Sequence, residues 1–388
     1  MITIATGHSD DIHPMAALEA AAAQCRAGLG ARQAGALLLF CSVADADHQA
    51  MLAVLAERFP GTCLVGCTSD GEFGGDEPFQ EDAVALLALA ADGVTFSSGR
   101  GEGMSGDPAG AVARALAEAR ERLDGPEKLA VWLCDSEAGV TENVHDILQD
   151  AAAPGSMIFG SNGAARSRMR RSRQFHGRDV LRDAAVVLLV SGALCCSVGA
   201  ACGWEPLGRE HAVERAEGNV LYEIGGMNAS EFYRHYFGEG IEAINQFPLA
   251  FLDPDEPGGF TLRAPLPSRR ETPDGGIRFI GKIPAWPKAR LTEAGREEIL
   301  AAAAEAARTA LEDYPGDHPA LALAFSCSTR RQILGSRTDE ENRAVRDNLP
   351  ENTDIFGFYG FGQICPARTG ARAESHCDAV TVLLLGAE

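Results

Sequence analysis

The chain has 388 residues, 46% of them apolar, which is long enough for more than one domain around a sizeable core. A formal net charge of −21 excludes a general nucleic-acid or anionic-membrane binder, because phosphate recognition needs a positive field. The 11 cysteines are odd in number and show no Cys-x-x-Cys spacing, which favours buried thiols in a reducing compartment over a disulfide framework or a zinc site.

No basic region followed by an apolar run opens the chain, so a cytoplasmic location is expected. The first element is an alanine-rich helix, Pro14 to Leu29. A buried-type strand then ends at Phe40-Cys41-Ser42, and a helix follows from Asp47 to Phe59. The next strand runs through Gly66 and Cys67 into a turn, Thr68-Ser69-Asp70-Gly71-Glu72. A further apolar strand spans Ala83 to Leu89. Asp107 and Pro108 mark the N-cap and first position of a helix reaching Leu123.

The same order then recurs. A strand ends at Cys134, a helix capped by Thr141 runs to Ala152, and a second strand enters the turn Gly160-Ser161-Asn162-Gly163. A loop with five arginines, Arg166 to Arg173, leads into a hairpin at Gln174 to Arg178. The apolar stretch Ala184 to Cys202 is long enough to raise a membrane span. Ser191-Gly192, Ser197 and Gly199 break it, so two strands are expected instead. Strands follow over 203–224, then a short helix from Ala229 to Tyr236. A proline- and glycine-rich segment, Asp253 to Pro287, carries strands near Phe260 to Arg263 and Ile277 to Ile280. A long helix is expected from Thr292 to Tyr314.

The pattern then appears a third time. A strand ends at Cys327, and a helix begins at Thr338, where Thr338-Asp339-Glu340-Glu341 has capping-box spacing. A strand enters the turn Gly357 to Gln363, and a last strand runs from Ala379 to Leu385. Three β-α-β-β copies predict an α/β protein with mixed sheets. Two domains are expected, over 36–224 and 225–388, after a helical lead-in over 1–35.

Open α/β sheets bind ligands outside the carboxyl ends of their strands. The turns 66–72, 160–163 and 357–363 would converge there if the copies pack with pseudo-symmetry. Thr68, Ser69, Glu72, Asn162, Tyr359, Gly360, Gly362 and Gln363 are the candidate ligand contacts. The alternative is that these are tight turns needing glycine for positive φ. Glu72 aligns with Gln363 in copy three and with Arg166 in copy two. Arg263, on a short strand, would suit a carboxylate. His376, before the last strand, is a ligand contact or an axial haem ligand, and His176 is a second haem candidate. Cys41, Cys134 and Cys327 hold one repeated position. They are either buried small residues or, with His48 and His145 following the first two, nucleophiles. No phosphate loop, zinc-protease or nucleophile-elbow motif is present.

The order of these segments resembles the FIST proteins. The resemblance rests on Phe40-Cys41-Ser42, Gly66 to Phe73, Gly160 to Gly163, the Ala184 strand and Gly203-Trp204 to Gly208. It continues through Cys327 with Arg330 or Arg331, Leu334-Gly335, Glu340-Glu341, Gly357 to Pro366 and His376. It implies an N-terminal and a C-terminal FIST domain in a sensory protein that binds a small ligand, such as an amino acid, without catalysis. A subset of the family is similar but binds haem and senses nitric oxide, with a histidine kinase or a cyclic-di-GMP enzyme as partner. Three positions depart from the family pattern: Gln363 stands where glutamate is usual, and Cys377 and Ala379 stand where asparagine and threonine are usual. An ammonium ligand would lose its charge partner at Gln363.

Overall fold

A computed structural model of the chain describes residues 2–75, 77–136, 144–164, 171–239, 244–266 and 271–387. It is a mixed α/β structure. Repeat 1 runs through β1 (Ile2–Ser9), α1 (Pro14–Leu29), β2 (Ala36–Cys41), α2 (His48–Arg58), β3 (Cys63–Thr68), a hairpin of β4 (Glu72–Gly74) and β5 (Glu77–Gln80), and β6 (Val84–Ala91). Repeat 2 follows the same plan. Its elements are β7 (Val94–Glu102), α3 (Pro108–Arg120), β8 (Glu127–Cys134), α4 (Val144–Ala151), β9 (Met157–Asn162), the hairpin β10 (Gln174–His176) and β11 (Asp179–Leu181), and β12 (Ala184–Gly192).

Repeat 3 opens with β13 (Leu194–Ala201) and is then interrupted by a fourth sheet. That sheet contains β14 (Glu205–Glu217), β15 (Val220–Ile224), β16 (Met227–Asn228), β17 (Leu249–Leu252), β18 (Phe260–Arg263), β19 (Ile277–Arg278) and β20 (Lys288–Glu293), with α5 (Ala229–Phe237) packed on it. The repeat resumes with α6 (Arg296–Glu312), β21 (Leu321–Cys327), α7 (Ser328–Leu334), α8 (Thr338–Arg346), β22 (Asp354–Gly360), the hairpin β23 (Gln363–Pro366) and β24 (Ala373–His376), and β25 (Val380–Ala387).

No repeat completes its own sheet. The strand orders are β1-β6-β2-β3-β10-β11, β7-β12-β8-β9-β23-β24 and β13-β25-β21-β22-β4-β5. The hairpin of repeat 2 closes sheet 1, that of repeat 3 closes sheet 2, and that of repeat 1 closes sheet 3. The exchange is therefore a closed cycle, and it pairs the outer edge of β3, β9 and β22 in turn. Unpaired edges are a liability, and here each is covered by another repeat.

The register explains one repeated glycine. Phe175 lies opposite Gly66, Ile364 opposite Gly160 and Phe73 opposite Gly357. A Cβ on Gly357 would come within 2.6 Å of the Phe73 ring, and one on Gly66 within 3.0 Å of Phe175. The nearest obstacle, however, is the carbonyl of the parallel strand beside each glycine: Leu39 O at 2.1 Å for Gly66, Trp132 O at 2.6 Å for Gly160 and Ala324 O at 1.8 Å for Gly357. Close packing of that strand requires all three glycines, and the borrowed hairpin adds a ring contact at Gly66 and Gly357. Positive φ, the alternative reason, applies in these turns only at Gly71 (φ 114°) and Gly362 (φ 79°).

The inner faces of the three sheets share one core, like the faces of a triangular prism. Phe40, Phe159, Phe325, Phe356 and Phe358 meet there, with the Phe40 and Phe358 centroids 4.2 Å apart. Each outer face carries its own helices: α1 and α2 on sheet 1, α3 and α4 on sheet 2, and α6 and α8 on sheet 3. Strands covered on both faces are apolar throughout, as β2 and β21 are.

Several sequence expectations hold in detail. Asp107 caps α3 by accepting from Gly110 N, with Pro108 at the first position. Residues 184–202 form two antiparallel-sheet strands, β12 and β13. Others need correction. The segment before residue 36 also contains strand β1, which pairs with β6. The helix expected from Thr292 begins at Arg296, because Lys288–Glu293 is strand β20. Helix α8 does begin at Thr338, but there is no capping box: Arg337 is the N-cap, and Thr338 Oγ1 donates to Gly335 O. The Thr141 cap and Arg166 to Arg170 of the basic loop lie outside the described residues.

The exchanged hairpin predicts where stability is concentrated. Phe73→Ala should cost about 3–5 kcal/mol in chemical denaturation, the range for emptying a buried aromatic site. Truncating Leu207, which is 46% exposed, should stay within about 0.5 kcal/mol of the parent chain.

Candidate functional site: the end of the prism where three turns meet

The three glycine turns do converge. Asp70 N donates to Tyr359 O at 2.8 Å, and Tyr359 N donates to Gly71 O at 2.9 Å. Ala164 N donates to Thr68 O at 2.8 Å. Asn162 N donates to Gly362 O, and Phe361 N to Asn162 O, both at 3.1 Å. Backbone hydrogen bonds thus tie turn 1 to turns 2 and 3, and turn 2 to turn 3. All lie at the carboxyl ends of the parallel strands.

The register assigns equivalent positions. Glu72 lies opposite Phe358, Gln174 opposite Cys67 and Gln363 opposite Ser161. Phe358 and Cys67 belong to the central core. Residues directly paired across strands share a face. Glu72, Gln174 and Gln363 therefore point inward around the axis, and all three are fully buried. This overturns the alignment of Arg166 with Glu72: the hydrogen-bond register gives that place to Gln174.

The three positions are not chemically equivalent. Glu72 accepts from Ser42 Oγ at 2.8 Å and, through its other oxygen, from Ser69 Oγ. Gln174 donates through Nε2 to Ser172 Oγ at 3.3 Å, and its Oε1 has no partner among the described residues. Ser172 Oγ in turn donates to Asp135 at 3.2 Å. Gln363 has no partner among the described residues at either Oε1 or Nε2. Buried polar groups are nearly always hydrogen-bonded, so a wholly orphaned amide calls for an explanation.

The other sequence candidates divide by face. Thr68 and Tyr359 sit at equivalent positions that point outward. Thr68 Oγ1 donates to Ala164 O at 2.8 Å and accepts from Arg173 N at 2.9 Å, which fixes turn 2 against turn 1. Tyr359 Oη donates to Glu341 at 2.5 Å, within the layer under α8. Burial and that carboxylate hold its pKa well above the ordinary value. Glu341 also accepts from Ser326 Oγ at 2.9 Å and from Arg330 at 2.6 Å. Arg330 is fully buried and donates to the carbonyls of Ile299 and Cys202. The Arg330–Glu341 pair is thus a buried ionic tie between α7, α8 and β22. It accounts for Glu341 better than the capping role did.

Asn162 Nδ2 donates to Phe361 O at 2.8 Å while its Oδ1 has no partner among the described residues. A Cβ on Gly360 would meet Asn162 O at 2.6 Å, and one on Gly362 would lie 3.6 Å from Asn162 Nδ2. Arg263 comes from the inserted sheet. It is buried, and its guanidinium donates to Lys282 O and Leu262 O, each at 2.8 Å. Burial lowers its pKa, while Cys377 and Glu374 face it.

His376 pairs with Gln363 in the hairpin, and its Nε2 lies 2.9 Å from Cys365 O. Burial lowers its pKa. His176 lies in a different sheet, at the turn of its hairpin, with Nε2 3.1 Å from Ser98 Oγ. Neither arrangement presents a free Nε2 to a haem iron.

The register corrects the expected equivalence of the strand-end thiols: Ser326 matches Cys41 and Cys134, and Cys327 lies one residue further on. All three thiols sit in surroundings opposed to thiolate formation. Burial pushes Cys134 and Cys327 up to about 12 and Cys41 higher still. The charged neighbours add to this: Glu72 and Asp82 for Cys41, Asp135 for Cys134, and Asp378 for Cys327. Carboxylates, rather than His48 or His145, face these thiols.

Asp378 extends the asymmetry of repeat 3. Its left-handed backbone (φ 55°) is shared by Asp82 and Asp183 at the same place in repeats 1 and 2, but Asp378 alone of the three is buried, and it accepts from Cys327 Sγ at 3.5 Å. Its Oδ2 has no partner among the described residues. Burial raises its pKa to about 7.

Cavities lie elsewhere among the described residues. An apolar gap of about 10 Å³ between Leu38, Leu129, Leu188, Leu323 and Leu385 holds at most one water. A groove of about 480 Å³ on the inserted sheet is lined by Pro206, Leu252, Pro257, Lys288 and Arg290.

Comparison with known proteins places this architecture. The FIST N domain model matches residues 35–227 and the FIST C domain model matches residues 229–366. The chain belongs to the FIST family. FIST domains are associated with sensory and signal-transduction proteins. An uncharacterized protein of Mycobacterium tuberculosis strain H37Rv is 25% identical over 308 residues, which is 66% of this chain and 78% of the relative. An uncharacterized protein of Methanocaldococcus jannaschii is 23% identical over 57% of this chain and 48% of its own length. Among solved structures, a cyanuric acid hydrolase from A. caulinodans aligns over 100% of this chain and 99% of its own. Its TM-score is 0.38 at 11% identity, and that likeness carries no argument. The boundary between the two FIST domain matches falls inside the inserted sheet, between β16 and α5. The N-terminal match therefore includes β13, the first strand of repeat 3.

Two predictions follow from these contacts. Glu341→Ala leaves a buried guanidinium without its carboxylate, and should cost about 3–5 kcal/mol in equilibrium unfolding. Asp378 has a folded-state pKa above its ordinary value of 3.8. Its stabilising contribution is therefore complete below pH 3.8 and is lost as pH rises through about 7. His8, pushed down to about 4 by burial, has the opposite dependence. Asp378→Asn should remove only the first, so that its melting temperature, relative to the parent chain, rises between pH 4 and pH 7.

Proposed function

We propose that this FIST protein is a cytoplasmic, small-ligand-binding sensory protein. The ligand sits at the end of the prism where the three turns meet, and a signalling partner reads the state of that end. The observation that carries the reading is the fully buried Gln363, whose amide lacks any partner among the described residues at the convergence of the turns. A buried amide without hydrogen bonds costs about 1–3 kcal/mol, and a bound molecule would return that energy. The family's association with sensory proteins supports the same reading.

The reading contains no catalytic step. The surroundings of Cys41, Cys134 and Cys327 support it, since nucleophilic thiols need a lowered pKa. Among the described residues no helix is long and apolar enough to cross a membrane. The partner class implied by the family resemblance is a histidine kinase or a cyclic-di-GMP enzyme.

Thermal-shift measurement of the full chain against amino acids, organic acids and amides is the test. At least one compound should raise the melting temperature in a concentration-dependent way. If no compound does, and the absorbance spectrum is also empty of haem, the binding reading is lost. Thiol-reactive probes should modify Cys41, Cys134 and Cys327 only after denaturation. Rapid labelling of any of the three in the native protein would reopen the enzymatic alternative.

A further inference from the structure

The identity of the ligand's recognition group can be narrowed by comparing the three equivalent inward positions. This step rests on the sensory reading above. In repeat 1 the position is saturated: Ser42 and Ser69 occupy both oxygens of Glu72. In repeat 2 it is half saturated, with the Gln174 Nε2 engaged by Ser172 and the Oε1 empty. In repeat 3 neither amide atom of Gln363 has a partner among the described residues. At the places of Ser42 and Ser69 the register puts Cys327 and Gly360 in repeat 3, so neither hydroxyl is there; the nearby Ser328 donates to Gly360 O at 3.2 Å. Ser161, directly opposite Gln363, donates instead to the carbonyls of Gly362 and Asn162. Among the described residues, hydroxyl partners thus serve two of the three positions and not the third.

We propose that Gln363 is the specificity-determining contact for a ligand that presents a neutral amide edge: an N–H and a C=O side by side, as in a carboxamide, a lactam or a pyrimidine. A side-chain amide offers one donor face and one acceptor face in a plane. Only a ligand group with the reverse pair satisfies both at once. Because both atoms are orphaned, the argument is unchanged if the amide is turned over. A carboxylate ligand would satisfy Nε2 and oppose Oε1; an ammonium would do the reverse. Either leaves a buried polar atom without a partner, and the penalty for that is what separates ligands. Glu72, also inward and buried, weighs further against an anion.

The test uses matched pairs on the full-length protein: L-glutamine against L-glutamate, L-asparagine against L-aspartate, and nicotinamide against nicotinate, with uracil as a lactam probe. Binding is read by thermal shift and by calorimetry. At least one amide or uracil should bind, with its acid counterpart weaker by roughly tenfold to a hundredfold, as one unsatisfied buried group dictates. Gln363→Leu should abolish that binding while leaving the ligand-free melting temperature equal to or above that of the parent chain, since it removes two orphaned atoms. Gln363→Glu should also lose it, because the introduced carboxylate has no donor. If acids or amines bind as well as amides, or if Gln363→Leu keeps full affinity, the amide assignment falls while the sensory reading stands. If no probe of any class binds, both fall. A Gln363→Leu protein that fails to fold would show that the amide is engaged by the protein itself, which also overturns the assignment.

Discussion

The structure depends on one constraint: the outer edges of β3, β9 and β22 must be hydrogen-bonded, and no repeat can do this for itself. Each edge is covered by a hairpin from another repeat, and the three loans close a cycle. A cycle of this kind has no stable subset. Removing any repeat leaves one sheet without its hairpin and one hairpin without its sheet, which exposes backbone groups that water must then satisfy. The glycines at 66, 160 and 357 lie where the exchange takes place: each faces a hairpin residue, Phe175, Ile364 or Phe73, and each is held against the carbonyl of the parallel strand on its other side. The convergence of the turns follows without further cause. A hairpin can reach the neighbouring sheet only if the turn before it lies at the shared axis.

Pseudo-symmetry in the backbone makes the asymmetry in the side chains informative. The outer layer of repeat 3 is tied by Arg330, Glu341, Tyr359 and Ser326, a buried network in which each carboxylate oxygen is used. Such a network is weak evidence for net stability, since desolvation offsets much of the attraction, but breaking it is costly. The inner layer of the same repeat is the opposite case. Gln363 is buried there with both amide atoms lacking partners among the described residues. One chain segment therefore carries both the most saturated and the least saturated polar groups among the equivalent positions. Rigidity on the outside of the repeat holds the unsatisfied groups in place on the inside.

Much of this was legible in the sequence, and the misses have physical reasons. The three β-α-β-β copies, the Asp107 cap, the broken apolar stretch at Ser191-Gly192 and the meeting of the turns all rest on local pattern or on repetition. What local pattern does not carry is register. Counting from the glycine turn, Glu72 and Gln363 follow Ser69 and Gly360 by three residues, but Gln174 follows Gly163 by eleven. Only the ladder with β3 shows that it is the equivalent residue. Tyr359 and Thr68 looked like ligand contacts because they are polar and lie at the turn. Strand alternation points them to the helix layer, and the apolar partners Phe358 and Cys67 are the signal that could have shown it. The first strand of repeat 1 was missed because it is only half-buried and lacks the apolar run of its neighbours. The first strand of repeat 3 is separated from its fellows by the whole inserted sheet.

The closed state of the inner row bears directly on how such a site would signal. Glu72, Gln174 and Gln363 are all buried, so a ligand reaches them only after the end of the prism opens. Binding is then measured against that opening, and apparent affinity falls by the fraction of molecules that are open. On the proposed reading, a ligand that satisfies Gln363 would favour the arrangement that admits it, and this differential would be the free energy available to a partner. The hydrogen bonds at stake include Asn162 N to Gly362 O and Phe361 N to Asn162 O, which join repeats 2 and 3 at the axis. Because the hairpin exchange is cyclic, separating these two turns strains the β23 pairing with β9 and, through the shared core, the other two faces. On the proposed reading, a local binding event at one of three equivalent positions would act on the closure of the whole prism, which is the property a sensor needs and a static scaffold does not.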